Sequence, residues 1–453
     1  MKKLYSSLII VLIAGLLLAA CKVNAPTPPP ATPTESAAAP AADETQMVAP
    51  AEETPEAGTP LPTIELPPTP TPDTRLFDEN NRMICTVYEP MFPPLTPEEK
   101  EAMGDVGEVN ENDHVWGKPD AALTILEYSD FQCPACKAFY DEYEKLAAAF
   151  PDDVRLAFRN FPLVSIHPNA TMAAQAAEAA ALQGKYWEMY HVLFSKQSDW
   201  AGLEAEALIT WLEKEAADLG LEPKFNEDLV SQAIVDKVKN ETDEAVAVGL
   251  NQTPTVFING RHWPYNWDLS TMTMVLNVIK AEEKLETECP AFEIDQNKSY
   301  TATIKMDKGE IVMELFPKEA PQAVNSFVYL ARKGFYDGVT FHRVMHDFVA
   351  QAGDPSGTGI SGSGFEFREE VVEGLTFDKE GVVGVAKTNM PNSSGSQFFI
   401  TYGETPQLDG GYTIFGQVTS GMDVVKQITE RDPQTNPDAP EGDKIITITI
   451  EEK

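Results

Sequence analysis

Two cysteines offer the first recognisable chemistry. Cys133 and Cys136 enclose Pro134 and Ala135, directly after residues 122–128, an apolar run that reads as a buried strand, and before a helical stretch that reaches Phe150. A strand therefore delivers Cys133 to a helix N-terminus. Unsatisfied backbone N–H groups there favour thiolate over thiol and lower a pKa that is about 8.5 in free cysteine, which makes Cys133 the attacking nucleophile. Cys136, one turn on along the same helix face, is placed to resolve a mixed disulfide on Cys133, and Pro134 suits the first helical turn. Such a pair can also be half of a zinc site, but the chain has no second pair and its six histidines form no ligand cluster. No metal and no cofactor are expected.

Further along, residues 249–260 place Thr253-Pro254 at the head of a β-rich segment, and residues 170–182, 185–194 and 203–215 between the two motifs carry helical patterning. Together with Glu127 ahead of the first cysteine, these features resemble the thioredoxin superfamily, and DsbA-type oxidoreductases in particular. The resemblance implies an α/β thioredoxin fold with a helical insertion over residues 110–285. It also implies a cis bond that sets Thr253 and Pro254 beside the redox pair, as an edge for an added substrate strand. By the same resemblance Glu127 is the buried acid that exchanges protons with the resolving cysteine. Ala135 stands where the most oxidising members carry histidine, so oxidase, reductase and disulfide isomerase all stay open.

A second constellation fills the C-terminal third. Residues 336–354 read Tyr-Asp-Gly-Val-Thr-Phe-His-Arg-Val-Met-His-Asp-Phe-Val-Ala-Gln-Ala-Gly-Asp, followed by Gly395-Ser396-Gln397-Phe398-Phe399-Ile400 and by residues 408–416. In this order the three blocks resemble the cyclophilin family of peptidyl-prolyl isomerases. The resemblance implies a mainly-β closed barrel with flanking helices over residues 297–453, a domain that needs no covalent step. Peptide rotation is opposed by about 18–20 kcal/mol of lost amide resonance, and the catalyst must favour the twisted state. Arg343 is carried over as the donor toward the prolyl nitrogen, whose lone pair localises only as the bond twists. Phe348, Val349, Phe399, Leu408 and Tyr412 would line the groove, with the proline ring against Phe348, Phe399 and Leu408. Gln351 would hold the substrate carbonyl, with Gln397 beside it.

His342 alternates with Arg343 along a strand, faces the other side and reads as structural. Val349, Lys387, Gln407 and Tyr412 replace residues common in the family, which reshapes the groove and leaves cyclosporin affinity open. Residues 353–364 are glycine-rich but lack the Gly-Lys-Ser/Thr ending of a phosphate loop, so no nucleotide is expected.

The elements that must hold these residues follow from the whole chain. Its 453 residues exceed one ordinary core, and a formal charge of −37 repels nucleic acid. The expected architecture is multidomain, a thioredoxin fold followed by a cyclophilin-like barrel. Lys2 and Lys3 precede an apolar run too short to span a bilayer comfortably, which ends Leu18-Ala19-Ala20-Cys21. That ending resembles a lipobox, which implies a signal peptide over residues 1–20, a lipid on Cys21 and an extracytoplasmic, membrane-anchored protein. Residues 21–75 are rich in Pro, Ala, Thr and Glu and read as a disordered tether of about 40 Å as a coil. Residues 76–109 form an N-terminal extension and residues 286–296 a linker. Cys85 and Cys289 flank the thiol domain, and two spare cysteines in an exported protein are expected to pair. The expected partners are exported unfolded or partly folded chains, a membrane redox partner and the membrane itself. A tethered holdase that grips Pro-rich segments without turnover is the rival from another class.

Overall fold

The computed structural model describes residues 75–453, apart from 104, 105, 222, 434, 437 and 438. The expected signal peptide, Cys21 and the tether up to residue 74 lie outside the described residues. Among those described, no helix is long and apolar enough to cross a membrane.

The chain enters along the second core. Met83 is buried in it, and Thr86–Val87 (β1) pairs antiparallel with Phe365–Glu366. A disulfide joins Cys85 to Cys289 across 204 residues of sequence, tying this entering segment to the linker that leaves the first domain. The linker crosses the same place: the Glu286 N–H donates to the Ser363 carbonyl at 2.8 Å, and a Cβ on Gly364 would stand 2.3 Å from the Glu286 carbonyl oxygen. Only glycine permits that approach, and at φ +91° it does so without strain. The extension then turns to the first domain, where Phe92 packs on Trp263, and Arg261 reaches the Pro93 carbonyl and Glu99.

The first domain is a five-stranded sheet of His114–Trp116 (β2), Leu123–Ser129 (β3), Val154–Asn160 (β4), Thr255–Ile258 (β5) and Arg261–His262 (β6), in the order β2-β4-β3-β5-β6. Strands β3 and β4 run parallel and are buried on both faces, with Glu127, Ser129, Arg159 and Asn160 buried among the apolar residues. Helix Pro134–Ala149 starts where β3 ends, and its buried face of Cys136, Phe139, Tyr140, Tyr143 and Leu146 packs into the core. Between β4 and β5 lies the helical insertion, opened by Ala170–Ala181 and Tyr186–Ser195. Alanines on the first of these allow close approach, and Tyr186, Tyr190 and Phe194 on the second join an aromatic cluster with Phe131 and Phe158.

The second domain is built on an eight-stranded antiparallel sheet: Tyr300–Met306 (β7), Gly309–Leu315 (β8), Arg343–Val344 (β9), Val349–Ala352 (β10), Phe365–Glu366 (β11, outside this sheet), Val382–Val385 (β12), Phe398–Thr401 (β13), Ile414–Ser420 (β14) and Ile445–Glu452 (β15). Its order is β15-β7-β8-β14-β12-β13-β10-β9. The sheet curls into a half-barrel, and closure comes from an isolated bridge between Thr340 and Lys444 rather than from a ladder between β9 and β15. Helix Pro321–Arg332 buries nearly its whole length against the barrel, with Val324, Phe327, Val328 and Leu330 inward.

Candidate functional site

Strand alternation sets the prolyl site. Val344, Ala350, Ala352, Phe398, Ile400, Val383 and Val385 point into the barrel core, so their neighbours point outward. Register aligns those outward residues: Arg343 on β9 faces Gln351 on β10, Gln351 faces Phe399 on β13, and Phe399 faces Gly384 on β12. Directly opposed residues share a face. A guanidinium, an amide and an aromatic ring thus stand in one row on the outside of the sheet.

The apolar floor is a cluster separate from the barrel core. Val349, Phe377, Val382, Phe399, Leu408 and Ile414 are buried in it, with Phe348, Met345 and Tyr412 packed on its open side. Phe399 stacks on Phe377 and meets Tyr412 edge-on. The sequence-derived groove residues Phe348, Val349, Phe399, Leu408 and Tyr412 therefore fall in one cluster. Gln351 donates through Nε2 to Gln397 Oε1 at 2.9 Å, and Gln397 Nε2 donates to the Gly359 and Ser361 carbonyls. The glycine-rich loop, which carries no nucleotide motif, thereby orients Gln397 and through it Gln351. One N–H of the Gln351 amide is committed in this way, and the second can meet a substrate carbonyl.

Arg343 keeps 27% of its side chain exposed and, among the described residues, makes polar contacts with Asp432 through Nε at 3.4 Å and with the Met345 sulfur through Nη2 at 3.6 Å. The guanidinium is oriented but not shut into a buried ion pair. His342, next in sequence, is buried, and neither ring nitrogen has a hydrogen-bond partner among the described residues. Burial holds its pKa below the usual value, with the cations of Arg431 and Arg343 adding to the effect against Asp354. It is a neutral core side chain on the opposite face from Arg343.

Gly384 escaped the sequence reading. A Cβ there would lie 2.5 Å from the tip of the Phe399 ring, so the ring rests flat on bare backbone. Replacing Gly384 with Ala is expected to push Phe399 into the groove and raise KM for an X-Pro peptide about tenfold, at the low end of the 1–3 kcal/mol range for overpacking, with kcat less affected. Steady-state kinetics on a test peptide check this, and an unchanged KM would show that the ring does not form the floor.

The thiol site is assembled at the end of β3. Cys133 stands at the N-cap of helix Pro134–Ala149, with Pro134 in the first turn, and both cysteines are buried. The Cys133 Sγ donates to the Thr253 carbonyl at 3.5 Å, beside the cis Thr253–Pro254 bond, so the two motifs meet across the sheet. The Cys133 pKa is lowered to about 5, by the Cys136 thiol first, then by Thr253 and the backbone N–H groups of Cys136 and Ala135, against the opposing effect of burial. Cys136 is pushed well above its ordinary value, chiefly by burial, then by Cys133 and Glu127. The pair is thus split into a nucleophile and a protonated partner.

Glu127 is wholly buried, and burial raises its carboxyl to about 8 against the hydrogen bond that Ser129 Oγ donates to Oε1 at 2.6 Å. Three supporting residues were missing from the sequence reading. Ser129 holds Glu127; buried Asp130 accepts from the N–H groups of Gln132 and Leu163 and pairs with His167 Nδ1 at 2.7 Å, clamping the loop before Cys133. Gln197, from the helical insertion, donates to the Phe131 and Cys133 carbonyls. Polar residues beside Cys133 could have suggested the first two, but Gln197 has no local signal. Among the described residues no cluster of histidine, cysteine and carboxylate side chains could hold a metal ion.

Comparison with known proteins agrees with both geometries. Residues 301–450 match the family model of cyclophilin-type peptidyl-prolyl cis-trans isomerases, and residues 109–278 match a thioredoxin model. A peptidyl-prolyl cis-trans isomerase of Helicobacter pylori is 46% identical over 137 residues, covering 30% of this chain and 83% of that protein. One of Dictyostelium discoideum is 43% identical over 143 residues, covering 31% of this chain and 90% of that protein. The Na(+)/H(+) antiporter NhaA 1 of Mycolicibacterium gilvum is 40% identical over 170 residues, which are 37% of this chain; the chain spans about a quarter, 26%, of that relative's length. Through its C-terminal domain the chain belongs to the cyclophilin-type peptidyl-prolyl cis-trans isomerase family, and it carries a thioredoxin-like domain ahead of that one.

Proposed function

We propose that the chain is a membrane-tethered, extracytoplasmic folding factor that isomerises X-Pro bonds at Arg343 and exchanges disulfides at Cys133 and Cys136. The observation that carries the isomerase reading is the row Arg343, Gln351, Phe399 over an apolar floor. The floor takes the proline ring, Gln351 fixes the preceding carbonyl, and the guanidinium meets the nitrogen lone pair that appears only in the twisted amide. Excluding water from the floor strengthens that interaction.

The split pair Cys133 and Cys136, with Glu127 beneath it and the Thr253–Pro254 edge beside it, supports a DsbA-type thiol exchange. Prolyl isomerisation and disulfide exchange are both slow in folding, and one chain bearing both would serve newly exported proteins. Export and the lipid on Cys21 rest on the resemblance of the N-terminus to a lipobox. A paired assay on one preparation tests the reading: an X-Pro test peptide and a reduced, unfolded disulfide protein should both turn over. Fatty-acid labelling in cells should be lost in Cys21→Ala. A preparation inactive on the peptide would overturn the isomerase, and one inert toward thiols the oxidoreductase.

A further inference from the structure

Glu127 poses a problem of supply. As the Cys133–Cys136 disulfide is reduced, a substrate thiolate attacks Cys133 Sγ, the S–S bond breaks, and Cys136 leaves as a thiolate that takes the Glu127 proton. The carboxylate left behind is wholly buried and must be reprotonated from water it does not touch. In the oxidising direction the same proton must leave.

A polar seam runs from Glu127 across the sheet. Glu127 and Ser129 share one face of β3, and in register they face Phe158 and Asn160 on β4, while Phe158 faces His114 on β2. Asn160 Nδ2 donates to Glu178 Oε1 at 2.8 Å and to Glu241 Oε2 at 2.8 Å. His114 Nε2 lies 3.0 Å from Glu178 Oε2, with its ring stacked on Tyr186 at 3.5 Å between centroids. Lys237 pairs with both Glu178 and Glu241. Exposure rises along the seam: the Glu178 side chain is 3% exposed and that of His114 19%.

Five polar atoms around this seam have no hydrogen-bond partner among the described residues: Glu127 Oε2, Asn160 Oδ1 and the hydroxyls of Tyr143, Tyr186 and Tyr190. All three tyrosines are buried. The Tyr186 hydroxyl feels Glu178, Glu241, Glu127 and Asp113, and that of Tyr190 feels Glu127, Tyr143, Tyr186 and Glu144. Cys133 and Cys136 also lie within reach of the Glu127 charge. Orphaned buried donors and acceptors gathered in one place are what ordered water satisfies, each molecule needing two to four such partners.

We propose that the Tyr186 and Tyr190 hydroxyls, linked by water, relay protons between Glu127 and the His114–Glu178 pair, which makes His114 the outlet through which the buried acid exchanges protons with solvent. This rests on the thiol-exchange reading for its purpose but not for its test. The experiment is a pH jump on the full reduced chain, followed by infrared spectroscopy of the protonated-carboxyl band that Glu127→Gln removes.

Tyr186→Phe deletes only an unpartnered hydroxyl, and His114→Gln keeps a polar group of similar reach. Each is expected to slow relaxation of that band by about tenfold or more, as losing a positioned proton carrier does. Added imidazole should restore the rate in His114→Gln and leave the wild type unchanged. Relaxation at the wild-type rate in both variants would overturn the relay, whether or not the chain proves active on thiols.

Discussion

Arg343→Ala is expected to lower kcat/KM on an X-Pro test peptide by about 100- to 1000-fold while the chain stays folded. The magnitude is that of removing one preorganised donor aimed at transition-state charge, about 3–4 kcal/mol. The loss should fall on kcat, because the prolyl nitrogen of the planar substrate has no localised lone pair for the guanidinium to meet. KM should barely change, since the floor and Gln351 hold the ground state. Stability should barely change either: among the described residues the side chain's polar contacts are with Asp432 and the Met345 sulfur, and the core beneath β9 is filled by Val344. Arg343→Lys keeps the charge but loses the planar fork, so it should recover little of the rate. Peptide kinetics beside a thermal melt check all of this. Wild-type turnover in Arg343→Ala would reduce the groove to a binding surface, the holdase alternative.

What the sequence made legible was local chemistry and short-period pattern. Cys133 and Cys136 sit within one helical turn, and Arg343 to Gln351 within one short hairpin, so their relation is fixed by secondary structure alone. The strands of residues 300–306 and 309–315 alternate cleanly because one face is buried. Illegible were relations set by register and by chain crossings. Gly384 matters only because β12 brings it beneath Phe399, and Gln197 only because the helical insertion folds back over Cys133. The extension over residues 76–109 carried no periodic pattern, yet it contributes Met83 to one core and Phe92 to the surface of the other. No periodicity could announce that, since the contacts are scattered along the segment at Leu76, Met83, Cys85, Phe92, Val106 and Val109. His114 and Glu178 stand 64 residues apart, and they meet because β2 pairs with β4 while Asn160 on β4 bonds Glu178 on helix Ala170–Ala181.

The thiol pair allows a sharper expectation than its motif does. Alkylation of the reduced chain should rise with pH through a midpoint near 5 and then level off, because Cys133 is the ionising group and its thiolate is held at about 5. Cys136, buried and pushed upward, should stay unlabelled across that range. Cys133→Ser should abolish exchange, whereas Cys136→Ser should trap substrates as mixed disulfides, since Cys133 then attacks with nothing to resolve it.

A stabilised thiolate favours the reduced pair, so the disulfide becomes oxidising in proportion. Nucleophile pKa values of about 7 in thioredoxin and about 3.5 in DsbA accompany potentials of about −270 and about −120 mV. A depressed Cys133 pKa therefore points away from the thioredoxin end of that range and toward the oxidising end. Ala135 puts no cation between the cysteines. Ala135→His should therefore lower the alkylation midpoint and raise the potential, and equilibration with glutathione measures the latter. A potential near −270 mV in the wild type would mark a reductase.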